Sequence, residues 1–262
     1  MDQSTAAATV ILLRETAAGL ELLLTQRSRR LGFAGGAMVF PGGKVDVGDL
    51  AVARDPISAS GFGGLSDADA AARIAASRET LEEVGVLLSD GPPLDATTLA
   101  DWRGRFIAVP DEAEAATYAA FLAATGHRAD AARLLPFSHW VPPVSAGLSR
   151  RFDTLFYVAR VDADTAVEPD GVEAVAAHWT TPAAALVAAD AGEIGLVFPT
   201  RRNIERLAQY ATIAALTERL AELPLVRIQP EVVVRDGVDW LTIPAGCDYP
   251  ITEERFDTVR RE

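Results

Sequence analysis

Short apolar runs recur along the chain, and polar or glycine-containing turns separate them. Runs of this length, rich in branched and aromatic residues, are typical of strands. The predicted strands are residues 9–13, 20–25, 37–40, 139–141, 149–159, 175–180, 231–234 and 239–243. The first two form a hairpin with a longer loop, and the last two form a hairpin around Asp236-Gly237.

Longer segments with helical spacing lie between these strands and after them. The predicted helices are residues 66–84, 97–106, 111–125, 183–189 and 202–220. Ser66-Asp67 is a suitable N-cap for the first helix, and Gly85 offers it a place to stop. Residues 50–70 are interpreted as an insertion that can loop out of the fold if the helix that follows stays docked, and residues 94–135 are interpreted as a helical insertion. Without repeats or a low-complexity linker, residues 1–262 are interpreted as one α/β domain.

The formal charge of −13 argues against a nucleic acid or an anionic membrane as the main partner. The single cysteine, Cys247, excludes an internal disulfide and suits a reducing cytoplasm. No basic segment followed by an apolar run opens the sequence, and the final residues are not a peroxisomal address. We therefore expect a cytoplasmic protein with a small-molecule partner, and a homodimer stays open.

One turn of the predicted helix 66–84 carries three glutamates. Glu79, Glu82 and Glu83 stand at i, i+3 and i+4, which places them on one face. Like charges at this spacing repel each other, whereas Mg²⁺ binds carboxylates together with substrate phosphates. A solvated acidic face with an ion pair between Arg78 and Glu82 explains the same residues. Both interpretations stay open at this point.

A glycine turn, Pro41-Gly42-Gly43, precedes this helix and permits close backbone approach. Together with Arg-Glu-x-x-Glu-Glu-x-Gly at residues 78–85, it resembles the signature of the Nudix hydrolases. In that signature a glycine, five residues, an acid and seven residues precede the Arg-Glu motif. Gly43 and Asp49 fit the first half, although the family usually has Glu at the second position. Residues 50–77, which are 28 residues, replace the seven, an insertion of 21.

An alternative alignment begins at Gly64 and keeps the spacing, but it puts Ala70 at the acidic position. We prefer Gly43, because Phe-Pro-Gly-Gly normally opens the Nudix loop. The resemblance implies a Nudix α/β/α sandwich with a mixed β-sheet and helical insertions. It also implies hydrolysis of a diphosphate with Mg²⁺ or Mn²⁺.

The segments around this motif resemble the coenzyme A diphosphatase group, and in particular its mammalian peroxisomal subgroup. They are Leu-Leu-Thr-Gln-Arg-Ser at residues 23–28, Trp-Val-Pro-Pro at 140–143, Arg-Phe-Asp-Thr at 151–154 and Phe-Pro-Thr at 198–200. The resemblance implies cleavage of coenzyme A or acyl-coenzyme A to 3′,5′-ADP and a phosphopantetheine. That group has an arginine where this chain has Gly32, with Arg29 and Arg30 nearby instead. NADH, ADP-ribose or another nucleoside diphosphate derivative therefore remains an alternative substrate.

The resemblance also implies roles for individual residues. Glu79, Glu82 and Glu83 would bind the metal, with the Gly43 carbonyl as a possible further ligand. Arg78 would hold these glutamates in place. The catalytic residues are thus expected to be Glu83, Glu82 and Arg78, with Glu83 as the base that acts through water. Glu173 is a weaker candidate for the base, and a solvated loop acid is its alternative role.

Basic residues form one tight cluster beside the glycine turn, namely Arg27, Arg29 and Arg30. With Gly42 and Gly43 they are the candidate substrate-binding residues, because a guanidinium matches a phosphate in a bidentate way. A solvated basic loop is the alternative interpretation. A Nudix module that senses a nucleotide without cleaving it is the rival function, and loss of the box carboxylates would be its mark.

Overall fold

The computed structural model describes residues 4–30, 34–143 and 151–256. Its strands are β1 Ser4–Thr16, β2 Gly19–Arg27, β3 Met38–Val39, β4 Gly42–Lys44, β5 Ala59–Ser60, β6 Ser89–Asp90, β7 Arg128–Asp130, β8 Leu135–Trp140, β9 Arg151–Arg160, β10 Ala174–Thr180, β11 Arg227–Ile228, β12 Glu231–Arg235, β13 Val238–Thr242 and β14 Glu253–Arg255. Its α-helices are α1 Asp49–Arg54, α2 Asp67–Val84, α3 Ala96–Ala108, α4 Glu114–Thr125, α5 Pro182–Asp190, α6 Phe198–Leu207 and α7 Ile213–Glu222. Gly32 and the first two residues of the predicted strand 149–159 lie outside the described ranges.

The main sheet is mixed and has the order β10-β2-β1-β9-β8-β11. Strand β1 runs antiparallel to β2 and parallel to β9. β1 and β2 pair only near their hairpin, from Leu13–Leu22 to Thr16–Gly19. Further from the hairpin, β3 pairs with β2 and β4 pairs with β1. The segment between Met38 and Lys44 therefore fits into the sheet and places the glycine turn against β1.

Helices cover both faces of this sheet. Val10 and Leu12 of β1 belong to the apolar cluster that includes Ala72, Ala75 and Ala76 of α2. The alternate residues of β1, such as Ile11, pack with residues of α6 and α7 on the other face. Small side chains on α2 let the helix approach the sheet closely. This arrangement confirms the predicted α/β/α fold class with a mixed sheet.

Helix α2 begins and ends as the sequence predicts. The Ser66 side chain accepts a hydrogen bond from the Asp69 backbone N–H at 3.2 Å, and it caps the first turn. Gly85 ends the helix in the left-handed region, with a φ of 72°. The final hairpin is also confirmed, because Asp236 and Gly237 both have positive φ between β12 and β13.

The expectation that residues 50–70 loop out of the fold is wrong. All of helix α1 but its first residue, together with strand β5, lies in this segment, and its Val52 and Phe62 are buried. They share an apolar cluster with Ile74 of α2 and with aromatic residues of α3 and α4. The two inserted segments therefore pack on α2 and on each other. The interpretation as a single domain stays a prediction.

Two further predictions are wrong. The predicted helix 202–220 is divided into α6 and α7, because Thr212 is extended and its side chain caps α7 by accepting from the Ala215 N–H. The loop of the first hairpin is short, because Thr16 pairs with Gly19 and only two residues lie between them. Across the described ranges, no helix is both long enough and apolar enough to cross a membrane.

Candidate active site

The last turns of α2 carry the three glutamates of the signature. Glu83 is buried, and Glu79 and Glu82 are partly exposed. Burial raises the pKa of Glu79 to about 7 and that of Glu82 to about 8. Burial also raises the pKa of Glu83 well above 4.5, and the charge of Glu79 adds to the pKa shifts of the other two. Negative charge at this turn is therefore unfavourable until a cation offsets it.

A divalent cation fits the chemistry of these side chains. One carboxylate oxygen, Glu82 Oε2, is buried without a hydrogen-bond partner in the described ranges. Such an oxygen is costly to bury alone, and it is the type of ligand that Mg²⁺ and Mn²⁺ prefer. The described residues contain no group of three or more Asp, Glu, His or Cys side chains already gathered to hold a metal ion. The assignment of Glu79, Glu82, Glu83 and Gly43 as metal ligands stays a prediction.

Arg78 is fully buried between the inserted segments and the turn of α2 that carries Glu79, Glu82 and Glu83, the predicted catalytic turn. Its guanidinium donates to Glu79 Oε1 at 2.9 Å, to Glu114 Oε2 at 2.5 Å and to the Lys44 carbonyl at 3.0 Å. Both oxygens of Asp49 accept further hydrogen bonds at 3.4 Å. Burial opposes the charge of Arg78, but the carboxylates of Glu79 and Asp49 outweigh it and raise its pKa. Arg78 thus contacts other site residues and is not accessible to a substrate.

Asp49 lies beside Arg78 and thus near the three glutamates. It is the first residue of α1 and is completely buried. Its carboxylate also accepts a hydrogen bond from the Asp46 backbone N–H at 2.7 Å. Burial raises its pKa, and the ion pair with Arg78 opposes that rise. The inserted helix α1 therefore fixes the position of this acid beside the catalytic helix.

The glycine turn makes two close approaches that exclude a side chain. A Cβ on Gly42 would lie 2.4 Å from the Ala8 carbonyl oxygen in β1. A Cβ on Gly43 would lie 2.2 Å from Glu79 Oε1. Strand β4 therefore brings the Gly43 backbone directly against a carboxylate of the catalytic turn. The proposed contact of Gly42 and Gly43 with substrate stays a prediction.

The three arginines of the basic cluster do not share one environment. Arg27 ends β2, and its charge lowers the pKa of Glu83 against the effect of burial. Its Nε is buried and has no hydrogen-bond partner among the described residues. Arg29 and Arg30 are exposed, and the Arg29 side chain lies against Gly36. The structure therefore brings Arg27 to the acidic turn and leaves Arg29 and Arg30 on the surface.

A loop before β10 is tied to the end of α2. The Asp170 N–H donates to the Glu83 carbonyl at 2.9 Å, and the Ser28 N–H donates to the Glu173 carbonyl at 2.8 Å. The Asp170 carboxylate accepts hydrogen bonds from the Glu173 N–H. The charge of Glu173 raises the pKa of all three glutamates on α2. Glu173 is exposed, but its effect on these pKa values shows that its charge acts on the three glutamates.

The sequence did not identify two site residues, which both come from the segment 94–135. Glu114 begins α4 and contacts Arg78. Arg103 of α3 donates two hydrogen bonds to the Glu82 carbonyl, at 3.1 and 2.9 Å, and one to the Glu168 carbonyl at 2.6 Å. Acids and arginines are frequent in this segment, so nothing in the local pattern distinguishes these two from their neighbours.

Comparison with known proteins places this geometry in a family. The model of the NUDT19 Nudix domain matches residues 53–207. Acyl-coenzyme A diphosphatase NUDT19 of Homo sapiens is 32% identical, and the match covers 76% of this chain and 64% of the human protein. The protein of the same name from Xenopus laevis is 29% identical, and the match covers 87% of this chain and 68% of that protein. This chain thus spans about two thirds of the length of these relatives.

A solved structure shows the same fold. The crystal structure of a NUDIX hydrolase from Alicyclobacillus acidocaldarius superimposes with a TM-score of 0.70 and 26% sequence identity. The similarity covers 83% of this chain and 97% of that one. Most of the present chain therefore has a counterpart of known structure.

Proposed function

This chain belongs to the Nudix family that the NUDT19 Nudix domain represents, and from that premise we propose that it is a metal-dependent diphosphatase. Its preferred substrate is coenzyme A or acyl-coenzyme A, and the products are 3′,5′-ADP and phosphopantetheine or its acylated form. The observation that carries this proposal is the acidic turn of α2, which lies against Gly43 and near Arg27. The names of the human and Xenopus relatives support the choice of substrate.

Hydrolysis requires a water oxygen to attack one phosphorus while the bond to the bridging oxygen breaks. The leaving phosphate keeps the electron pair, and the water loses a proton. Glu79, Glu82 and Glu83 would hold a divalent cation, which would neutralise charge on the phosphates and would lower the pKa of a water bound to it. Mg²⁺ and Mn²⁺ both suit these oxygen ligands.

The chain's own residues then have distinct tasks. Arg78 holds the Glu79 carboxylate through a 2.9 Å hydrogen bond, so that this ligand keeps one orientation. Glu83 accepts the proton of the attacking water through a second water. Arg27, whose buried Nε lacks a partner within the described part of the chain, pairs with a phosphate of the substrate. Glu173 is the second candidate for the base, because its charge acts on the same turn.

The central test replaces Glu83 by Gln and measures turnover of coenzyme A with Mg²⁺ and with Mn²⁺. Loss of one general base lowers kcat by roughly a hundredfold to ten-thousandfold. Glu112→Gln is the matched control, because Glu112 is an exposed acid of the inserted segment. Circular dichroism should show an intact fold for both variants. Equal rates for Glu83→Gln and the control would reject the role of Glu83, and Glu173→Gln would then test the second candidate.

A substrate panel separates the proposed activity from its rivals. It contains coenzyme A, acetyl-coenzyme A, NADH, ADP-ribose and a nucleoside triphosphate, with products identified by mass spectrometry. Fastest hydrolysis of the coenzyme A compounds supports the proposal, and faster hydrolysis of NADH or ADP-ribose changes the substrate. Binding without turnover of any compound would favour a nucleotide-sensing module. We further propose that the protein is located in the cytoplasm, because a single cysteine is compatible with a reducing compartment.

A further inference from the structure

The inserted segment 94–135 brings a fourth glutamate to the catalytic helix. Glu114 is the first residue of α4, and it follows the short helical turn Asp111–Ala113. Its side chain is 16% exposed, and its Oε2 accepts a hydrogen bond from Arg78 Nη1 at 2.5 Å. The two residues are 36 positions apart in the chain. The contact therefore depends on how α4 docks against α2.

Glu114 shares one nitrogen of Arg78 with a candidate metal ligand. Arg78 Nη1 donates to Glu114 Oε2 and, at 2.9 Å, to Glu79 Oε1. The other nitrogens donate to the Lys44 carbonyl at 3.0 Å and to Asp49 at 3.4 Å. These five contacts equal the five N–H groups of a guanidinium. Without Glu114 one buried N–H has no acceptor, and the shorter ion pair that remains is the one with Glu79.

We propose that Glu114 is a positioning residue for catalysis, which balances the charge of Arg78 so that the Glu79 carboxylate stays available to a divalent cation. A guanidinium that is paired only with Glu79 and Asp49 competes more strongly for the Glu79 oxygens. Loss of the Glu114 carboxylate also makes the surroundings of the cation less negative. Both effects weaken metal binding. The inference rests on the proposed metal-dependent hydrolysis and assigns the helical insertion a part in it.

An ion pair three residues before Glu114 supplies a matched control. Lys44 Nζ lies 2.6 Å from Asp111 Oδ2, and both side chains are exposed. Asp111→Asn removes this ion pair three residues before Glu114, but it leaves all partners of Arg78 in place. If α4 acts only by docking, the Asp111 and Glu114 variants should behave alike.

The experiment compares the full-length wild type with Glu114→Ala, Glu114→Gln and Asp111→Asn. Free Mn²⁺ is titrated by electron paramagnetic resonance without substrate, and kcat and KM are measured separately for the best substrate of the panel. Loss of a residue that orients a metal ligand typically lowers metal affinity or activity roughly tenfold to a hundredfold. We expect a change of that size in Mn²⁺ affinity and in kcat for Glu114→Ala, with KM unchanged. The Mn²⁺ affinity and kcat of Glu114→Gln should lie between those of the wild type and Glu114→Ala, because the amide oxygen still accepts a hydrogen bond from Arg78 but carries no charge.

The outcomes separate this inference from the proposed function. Wild-type protein that turns over no compound refutes the function, whatever the variants do. If the wild-type protein is active, and the Glu114→Ala and Asp111→Asn variants have equal Mn²⁺ affinity and equal kcat, the positioning role is overturned. Urea unfolding shows whether each variant is folded. If Glu114→Ala is not folded, the isosteric Glu114→Gln decides by the same two measurements.

Discussion

Replacement of Gly43 by Ala tests the close approach between strand β4 and the catalytic turn. The new Cβ would lie 2.2 Å from Glu79 Oε1, which is about 1.2 Å short of the 3.4 Å at which ordinary contact begins. Gly43 pairs with Ala8 in the middle of the sheet, so its backbone has little freedom to retreat. The Glu79 carboxylate is the flexible partner. We therefore expect it to move by roughly 1 Å.

The size of the effect follows from this displacement. A misplacement of about 1 Å in a catalytic arrangement costs about a hundredfold in rate, which corresponds to about 2.7 kcal/mol of transition-state stabilisation. The hydrogen bond from Arg78 Nη1 to Glu79 is strained at the same time. The free energy of unfolding should fall by only about 1 kcal/mol, because the end of one side chain moves and the apolar core does not.

The assay measures kcat/KM with the preferred substrate and the Mn²⁺ affinity without substrate. Gly63→Ala is the matched control, since an added Cβ there meets no atom within 4 Å. We expect Gly43→Ala to lose about a hundredfold in kcat/KM and to bind Mn²⁺ more weakly, while Gly63→Ala resembles the wild type. Wild-type activity in a folded Gly43→Ala protein would refute the reasoning, because Glu79 would then have no need of its position against β4.

Three further predictions concern substrate, protons and stability. Arg27→Ala should raise KM for coenzyme A more than for its form without the 3′-phosphate, and steady-state kinetics that show equal effects would reject that phosphate contact. Burial raises the pKa of Glu79 to about 7 and that of Glu82 to about 8, so Mg²⁺ binding at pH 7 should release about one to two protons from this pair, and the affinity for Mg²⁺ should increase with pH. Calorimetry in buffers of different ionisation enthalpy counts these protons, and a release of none contradicts the raised pKa values. Asn203 Oδ1 accepts hydrogen bonds from Ser138, Trp140 and Tyr249, so Asn203→Ala should lower the free energy of unfolding by roughly 3 kcal/mol, and a loss below about 1 kcal/mol in urea unfolding would disagree.

Local chemistry explains which parts of the fold were predictable. Helix α2 could be placed from Ser66 and Gly85, because a cap and a left-handed stop act within one or two turns. The division between α6 and α7 could not be predicted, because apolar residues continue at helical spacing through residues 202–220. Only the structure shows that Thr212 caps α7 with a hydrogen bond. The packing of residues 50–70 depends on partners in α2, α3 and α4, and the sequence pattern of residues 50–70 does not indicate which segments these are.

The same distinction applies to the candidate site. Glu79, Glu82 and Glu83 are neighbours on one helical turn, so their spacing alone brings them together. Glu114 reaches that turn only through the docking of an inserted helix, and no period in the sequence records such a contact. Arg27 illustrates an intermediate case. Its cluster was visible in the sequence, but only the structure distinguishes it from exposed Arg29 and Arg30.

The parallel pair of β1 and β9 has a consequence for biosynthesis. Ser4 lies opposite Arg151 and Leu13 lies opposite Arg160, so the two strands at the centre of the sheet are separated by more than half of the chain. Contacts between such distant segments slow folding, because a long loop must close before they form. On the ribosome, β1 has to remain without this partner until residue 160 has left the exit tunnel. During that interval its apolar residues, such as Val10 and Leu12, are exposed to aggregation, and chaperones of the nascent chain are expected to protect them.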